Sequence, residues 1–169
     1  MSRSGTYYRV FEAGWDDCAD TSFSKLYGGR WNPPGEFGAL YLNRTIEVAR
    51  ANARELYAGA FYRPEDLTGG AELQLQEFTV PKESVLNCIS EGGAAACGFP
   101  PSYPFGCKYA SSQAIARDEY AHGTSGVATR CASEASGSAF VGEELALFDR
   151  VSRSAKKARL YRFADWYSL

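Results

Sequence analysis

The clearest alternation of apolar and polar positions lies in AELQLQEFTVP, residues 71–81. Leu73, Leu75 and Glu77 fall on one side there, and Gln74, Gln76 and Phe78 on the other. A period of two predicts a strand, closed by Pro81, which has no N–H to give a ladder. TYYRVFEA (6–13) and FGALYL (37–42) are rich in aromatic and aliphatic residues and predict two further strands. Residues 14–29 are polar and glycine-bearing and predict a loop. After Thr45, a candidate N-cap, the period lengthens. Ile46, Ala49, Ala53 and Leu56 form the apolar stripe of a helix over 46–58, with Arg50 and Arg54 on its wetter side. Residues 90–108, dense in Gly and Pro, predict a long loop or lid. Residues 111–123 predict a helix with a serine cap and a glycine stop, and 126–132 a strand. ELALFDR and ARLYRFADW predict two more short strands. This order implies an α+β fold, a mixed, largely antiparallel sheet with flanking helices.

Composition narrows the picture. At 169 residues the chain is expected to form one domain, 1–169, with room for a sizeable core. No apolar run approaches the length of a membrane span, and MSRSGTYYRV lacks the apolar core of a signal peptide, so a cytoplasmic location is expected. The five cysteines are odd in number and show no C-x-x-C spacing, which favours reduced thiols. A single histidine, His122, makes zinc a poor expectation and suits a helix C-cap instead. A formal charge of −2 argues against direct nucleic-acid binding. The basic run Arg150, Arg153, Lys156, Lys157, Arg159 and Arg162 reads first as a solvated face, and secondly as a contact for an acidic protein.

Candidate chemistry concentrates in GGRWNPPG, residues 28–35. Arg30 sits beside Trp31, on backbone free enough for close approach. The plain structural reading is a turn whose Trp packs in the core and whose Arg pairs with a surface carboxylate. The functional reading is an anion site.

The order YRV, GGRWNPPG, ALYL and a helix, SQAIA, SGVATRCAS and ELALF resembles the RES domain, over roughly residues 7–149. That family is named for an arginine, a glutamate and a serine. The resemblance implies a bacterial toxin with a fold similar to ADP-ribosyltransferases. It implies NAD as the substrate, hydrolysed or phosphorolysed without a metal, and a helix-turn-helix antitoxin as partner. It maps the family's arginine onto Arg30, the aromatic after it onto Trp31 and the strand tyrosine onto Tyr41. The glutamate position falls on Asn52 and the serine position on Cys131, so two of the three name-giving residues differ. Glu55, one helical turn past Asn52, and Ser133, on the same strand face as Cys131, are the alternative occupants.

Breaking the nicotinamide–ribose bond needs a cation for the pyrophosphate, an aromatic face for the ring, and negative charge or a polar group near the ribose. Arg30 fits the first need, on a Gly-Gly hinge, and Trp31 and Tyr41 the second. Asn52 brings a hydrogen bond without charge. Glu55 supplies a charge or is an exposed helix-surface residue. Cys131 is a weak substitute for serine or a small core residue. Arg9 is a further anion contact or an ordinary strand charge. Two other readings stay open: a binding module that has lost its chemistry, and an ADP-ribosyltransferase on the same fold.

Overall fold

The computed structural model describes residues 1–136, 139–140 and 142–168, without the side chains of 135, 136, 139 and 140. Its elements are β1 (Ser2–Glu12), α1 (Ser22–Tyr27), β2 (Ala39–Asn43), α2 (Ile46–Leu56), a 3-10 turn (Pro64–Asp66), β3 (Leu73–Cys88), α3 (Glu91–Ala96), α4 (Tyr109–Ala121), β4 (Gly126–Arg130), β5 (Ala135–Ser136), β6 (Ala139–Phe140), β7 (Glu143–Phe148), α5 (Asp149–Ser152), β8 (Lys156–Tyr161) and α6 (Phe163–Trp166).

Six strands form the main sheet in the order β1-β2-β7-β4-β3-β8, and β1 also pairs with β3. The pairings therefore run in a ring, from β1 through β2, β7, β4 and β3 back to β1. The β3–β4 pair is parallel; the others are antiparallel. This is the mixed, largely antiparallel α+β class that the element order implies.

Alternation sorts the strand residues into layers. Tyr7, Phe11, Leu40, Leu42, Phe78, Val80, Ala128, Leu145 and Leu147 gather into one buried cluster. The opposite face divides in two. Ala39, Val127, Ala146 and Phe148 pack with Trp31, Phe99, Tyr103 and Ala116. Leu73 and Leu75 pack with Ala49 and Ala53 of α2 and with Trp166 of α6. Between these two clusters lie the polar residues of β2 and β7.

Several boundaries differ from the sequence pattern. The predicted loop over 14–29 contains α1, six residues whose large side chains Phe23, Leu26 and Tyr27 are all exposed; with no buried stripe, no periodicity announced it. Pro81 does not close β3. The β1 register shifts between Arg3 and Gly5, opposite Glu83 and Val80, and the missing N–H falls at that irregularity. In α2, Thr45 caps as expected, accepting from the Val48 N–H at 3.3 Å, but Leu56 is exposed and the helix ends there. Segment 90–108 is not a free lid. It contains α3, Phe99 and Tyr103 are buried, and their rings stack at 4.3 Å; Phe105 alone of the three aromatics stays exposed. Helix α4 starts at Tyr109 behind Lys108, without a side-chain cap. Its far end behaves as expected: His122 Nδ1 lies 2.8 Å from the Asp118 carbonyl and Gly123 takes a φ of 89°.

The two C-terminal strands each give way to a short helix, α5 and α6. The basic run is exposed, and two of its members are engaged by the protein itself. Lys157 pairs with Asp17 at 2.7 Å, and Arg150 donates to the carbonyls of Tyr120 and Thr124 while lying over the Tyr120 ring. No helix among the described residues is long and apolar enough to cross a membrane. All five cysteines are free thiols.

Candidate functional site

The loop from Gly28 to Asn32 is a fixed support rather than the hinge suggested by its glycines. Gly28 ends α1 with a φ of 75°, where a side chain would be strained. A Cβ on Gly29 would overlap the Tyr41 hydroxyl. The hub is Asn32, fully buried. Its Nδ2 donates to the carbonyls of Ser24 at 2.6 Å and Phe37 at 3.1 Å, and its Oδ1 accepts from the Tyr41 hydroxyl at 2.8 Å. That hydroxyl accepts the Trp31 N–H at 2.9 Å. From the other side, Gln113 of α4 donates to the Gly29 carbonyl at 2.8 Å. Burial pushes the Tyr41 phenol well above its ordinary range, so it stays protonated and able to donate to Asn32.

Neighbouring residues on this loop have opposite fates. Trp31 is 0% exposed, packed edge-on to Phe99 with ring centroids 6.0 Å apart. Its ring is core, which corrects the expectation that it contacts a nicotinamide. Arg30 stays partly exposed. Among the described residues its guanidinium makes no ion pair and no hydrogen bond, and its Nη1 is buried without a partner. The group lies over the Tyr109 ring at 5.1 Å, and its charge acts on the Glu144 carboxylate. Among the described residues, no surface carboxylate pairs with Arg30 to make it a plain structural residue.

Beside this loop, a cleft of about 500 Å³ lies against β1, β2, β7 and α2. Arg9, Tyr41, Asn52, Glu55, Ser133 and Glu144 line it. Arg9 is more than an ordinary strand charge: its Nη1 is buried without a partner, its guanidinium lies 5.8 Å from the Trp15 ring, and burial depresses its pKa. Glu55 is exposed on the cleft's rim. Ser133 also reaches the cleft, and its hydroxyl lies against the Cys131 sulfur.

Asn52 is the centre of a polar chain. Its Nδ2 donates to Asn43 Oδ1 at 2.7 Å and to Glu144 Oε1 at 2.6 Å, while its Oδ1 accepts from the Cys131 thiol at 3.3 Å. Both amide hydrogens and the carbonyl are therefore committed to protein groups. Cys131 is fully buried, and burial with the nearby Glu144 charge pushes its thiol up to about 11. It acts here as a donor to Asn52, not as a thiolate.

Glu144 is the site residue that sequence reasoning missed. It stands opposite Asn43 of β2 and Thr129 of β4. One signal was available. In EELALF, Glu144 shares a strand face with Ala146 and Phe148, while Leu145 and Leu147 occupy the other. Apolar residues on both faces mark a central strand, where a carboxylate is out of place. Burial raises the Glu144 carboxyl from its ordinary value of 4.5, against the opposing effects of the Asn52 hydrogen bond and the Arg30 charge. The folded state thus holds this proton more tightly than the unfolded chain does. The associated stability is complete below the ordinary carboxylate range and is lost as pH rises through the raised value. Glu144→Gln should therefore be more stable than the wild type at pH 7, with the gain fading below about pH 4. Thermal melts across that range check this; a Gln variant less stable at pH 7 would contradict it.

No cluster of three or more His, Cys, Asp or Glu among the described residues could hold a metal ion.

With this geometry in view, comparison with known proteins gives the family. The RES domain model matches residues 6–165. The chain belongs to the RES domain family. Among solved structures it is similar to the crystal structure of the M. tuberculosis MbcT-MbcA toxin-antitoxin complex. The TM-score is 0.81 at 19% sequence identity, covering 100% of this chain and 92% of that one. At that identity the likeness shows a shared fold. No curated protein matches the chain.

Proposed function

We propose that this protein is the toxin of a toxin–antitoxin pair and that it binds NAD and cleaves the nicotinamide–ribose bond. The observation that carries this reading is the Arg30 guanidinium, on a braced loop that meets the cleft wall at Tyr41, with its charge acting on Glu144 and no hydrogen-bond or ion-pair partner among the described residues. A buried guanidinium nitrogen left without a partner is costly unless a ligand completes it, and a pyrophosphate matches the planar fork. Arg9, with a second unpartnered Nη1, is the further anion contact. Because Trp31 is buried, the ring contact falls to aromatic groups that line the cleft, Trp15 and Tyr57. Water or phosphate is the acceptor.

The partner is a small helical antitoxin. The toxin–antitoxin complex that shares this fold supports a partner in general. The exposed Phe23, Leu26 and Tyr27 of α1, immediately before the Arg30 loop, give such a partner an apolar seat from which to cover the site. They suit this better than segment 90–108, which is packed down at Phe99 and Tyr103, or the basic C-terminal run, where Arg150 and Lys157 are engaged internally.

The purified chain should consume NAD. Free ADP-ribose as product means hydrolysis, and ADP-ribose phosphate means phosphorolysis. A modified macromolecule would replace this reading with transfer, and binding without turnover would replace it with a binding module. Overproduction alone should arrest growth, and co-expression with a captured antitoxin should relieve the arrest.

A further inference from the structure

We infer that Glu144, rather than any residue of α2, supplies the negative charge that stabilises the ribose cation as the nicotinamide bond breaks, with Asn52 as its positioning residue. This rests on the NAD-cleaving reading above and assigns the one charge that reading leaves without an owner.

Three observations converge on Glu144. The first is access. The residue lines the cleft between Tyr41 and Asn52, and its side chain is only partly covered. The second is how the carboxylate is held. Oε1 takes the 2.6 Å hydrogen bond from Asn52, and among the described residues nothing is bonded to Oε2. One oxygen is thus fixed by the protein and the other left for a ligand. Asn52 is in turn locked by Asn43 at 2.7 Å and by the Cys131 thiol at 3.3 Å, so the carboxylate is oriented before any ligand arrives. The third is that Glu144 is the least exposed of the three carboxylates among the described residues that line the cleft, the others being Glu12 and Glu55. Asn52 is neutral with both amide hydrogens used, and Glu12 and Glu55 are exposed, where solvent screens them.

The step balances without a further reactant. The C1′–nitrogen bond of NAD breaks and its electron pair leaves with the ring, which turns from a pyridinium into neutral nicotinamide. Positive charge develops on C1′ and the ribose ring oxygen. Water or phosphate then forms the new C1′–oxygen bond, and in hydrolysis the water releases a proton. Glu144 forms no bond. Its free oxygen accepts a ribose hydroxyl and its charge opposes the developing cation, an interaction stronger in the transition state than in the ground state.

The test compares steady-state NAD turnover and calorimetric binding of NAD for the wild type, Glu144→Gln and Glu144→Asp. Gln keeps the shape and an oxygen to accept from Asn52, so it removes the charge alone. Glu144→Gln should lower kcat by about 100-fold or more, with KM and affinity within about threefold. Glu144→Asp should recover part of that loss. A folded Glu144→Gln enzyme with kcat within about threefold of the wild type would overturn the assignment while leaving NAD cleavage intact. A wild type that binds NAD without cleaving it would overturn the reading of the site as a whole and this role with it. If Gln unfolds the protein, Glu144→Ala decides: a folded Ala variant with kcat within about threefold of the wild type places no catalytic demand on this carboxylate and sinks the inference.

Discussion

Arg30→Ala should remove most dinucleotide affinity while leaving the fold intact. The guanidinium makes no hydrogen bond or ion pair with the described protein, so the folded state loses only its contact with the Tyr109 ring and its attraction to Glu144. A ligand anion, by contrast, would lose a desolvated charge-assisted pairing. Truncating one partner of such a pair costs about 2–5 kcal/mol. That corresponds to roughly 30-fold to several thousand-fold in affinity. Calorimetry with NAD, beside a thermal melt, separates the two effects. Arg30→Lys should recover part of the binding, because an ammonium keeps the charge without the planar fork. Unchanged affinity in Arg30→Ala would remove the anion site from this loop.

The neighbouring position should behave in the opposite way. Trp31→Ala is expected to destabilise the protein by about 3–5 kcal/mol, the range for truncating a buried aromatic. The ring is enclosed by Phe99 and its surrounding cluster, which includes Tyr103 and Ala116, and a shell drawn from separate segments will not collapse readily into the space left. Trp31→Phe should be milder and should keep NAD affinity close to wild type, since the indole touches no part of the cleft and its Nε1 has no hydrogen-bond partner to lose. Denaturant unfolding measures the first effect and calorimetry the second. A Trp31→Phe protein of native stability that cannot bind NAD would return the indole to the site.

These two residues show where sequence reasoning reaches its limit. GGRWNPPG announced that something approaches the backbone closely, and the structure has such an approach, from the Tyr41 hydroxyl and the Asn32 side chain inside the protein. Adjacent residues on an irregular loop have no period to sort them, so the pattern could not decide which of Arg30 and Trp31 enters the core and which stays partly exposed. The same limit applies to Arg9. Its strand was evident, but a guanidinium left without a partner is visible only once the surrounding chain is placed.

What the sequence determined by itself was local. The period-two run over 71–81 placed β3, Thr45 and the lengthened period placed α2, and the order of motifs over most of the chain marked the family. Those signals come from neighbours along the chain, whose geometry follows from backbone stereochemistry. The tertiary structure decided the rest. The carboxylate at the site comes from β7, and its hydrogen bond to Asn52 joins residues 92 apart. Pro81 is tolerated because β1 shifts register opposite it, and segment 90–108 is ordered because Phe99 and Tyr103 find a core to enter. Each of these outcomes depends on which distant segment arrives as partner. Closure of the sheet into a ring sets that, and no stretch of the chain carries it alone.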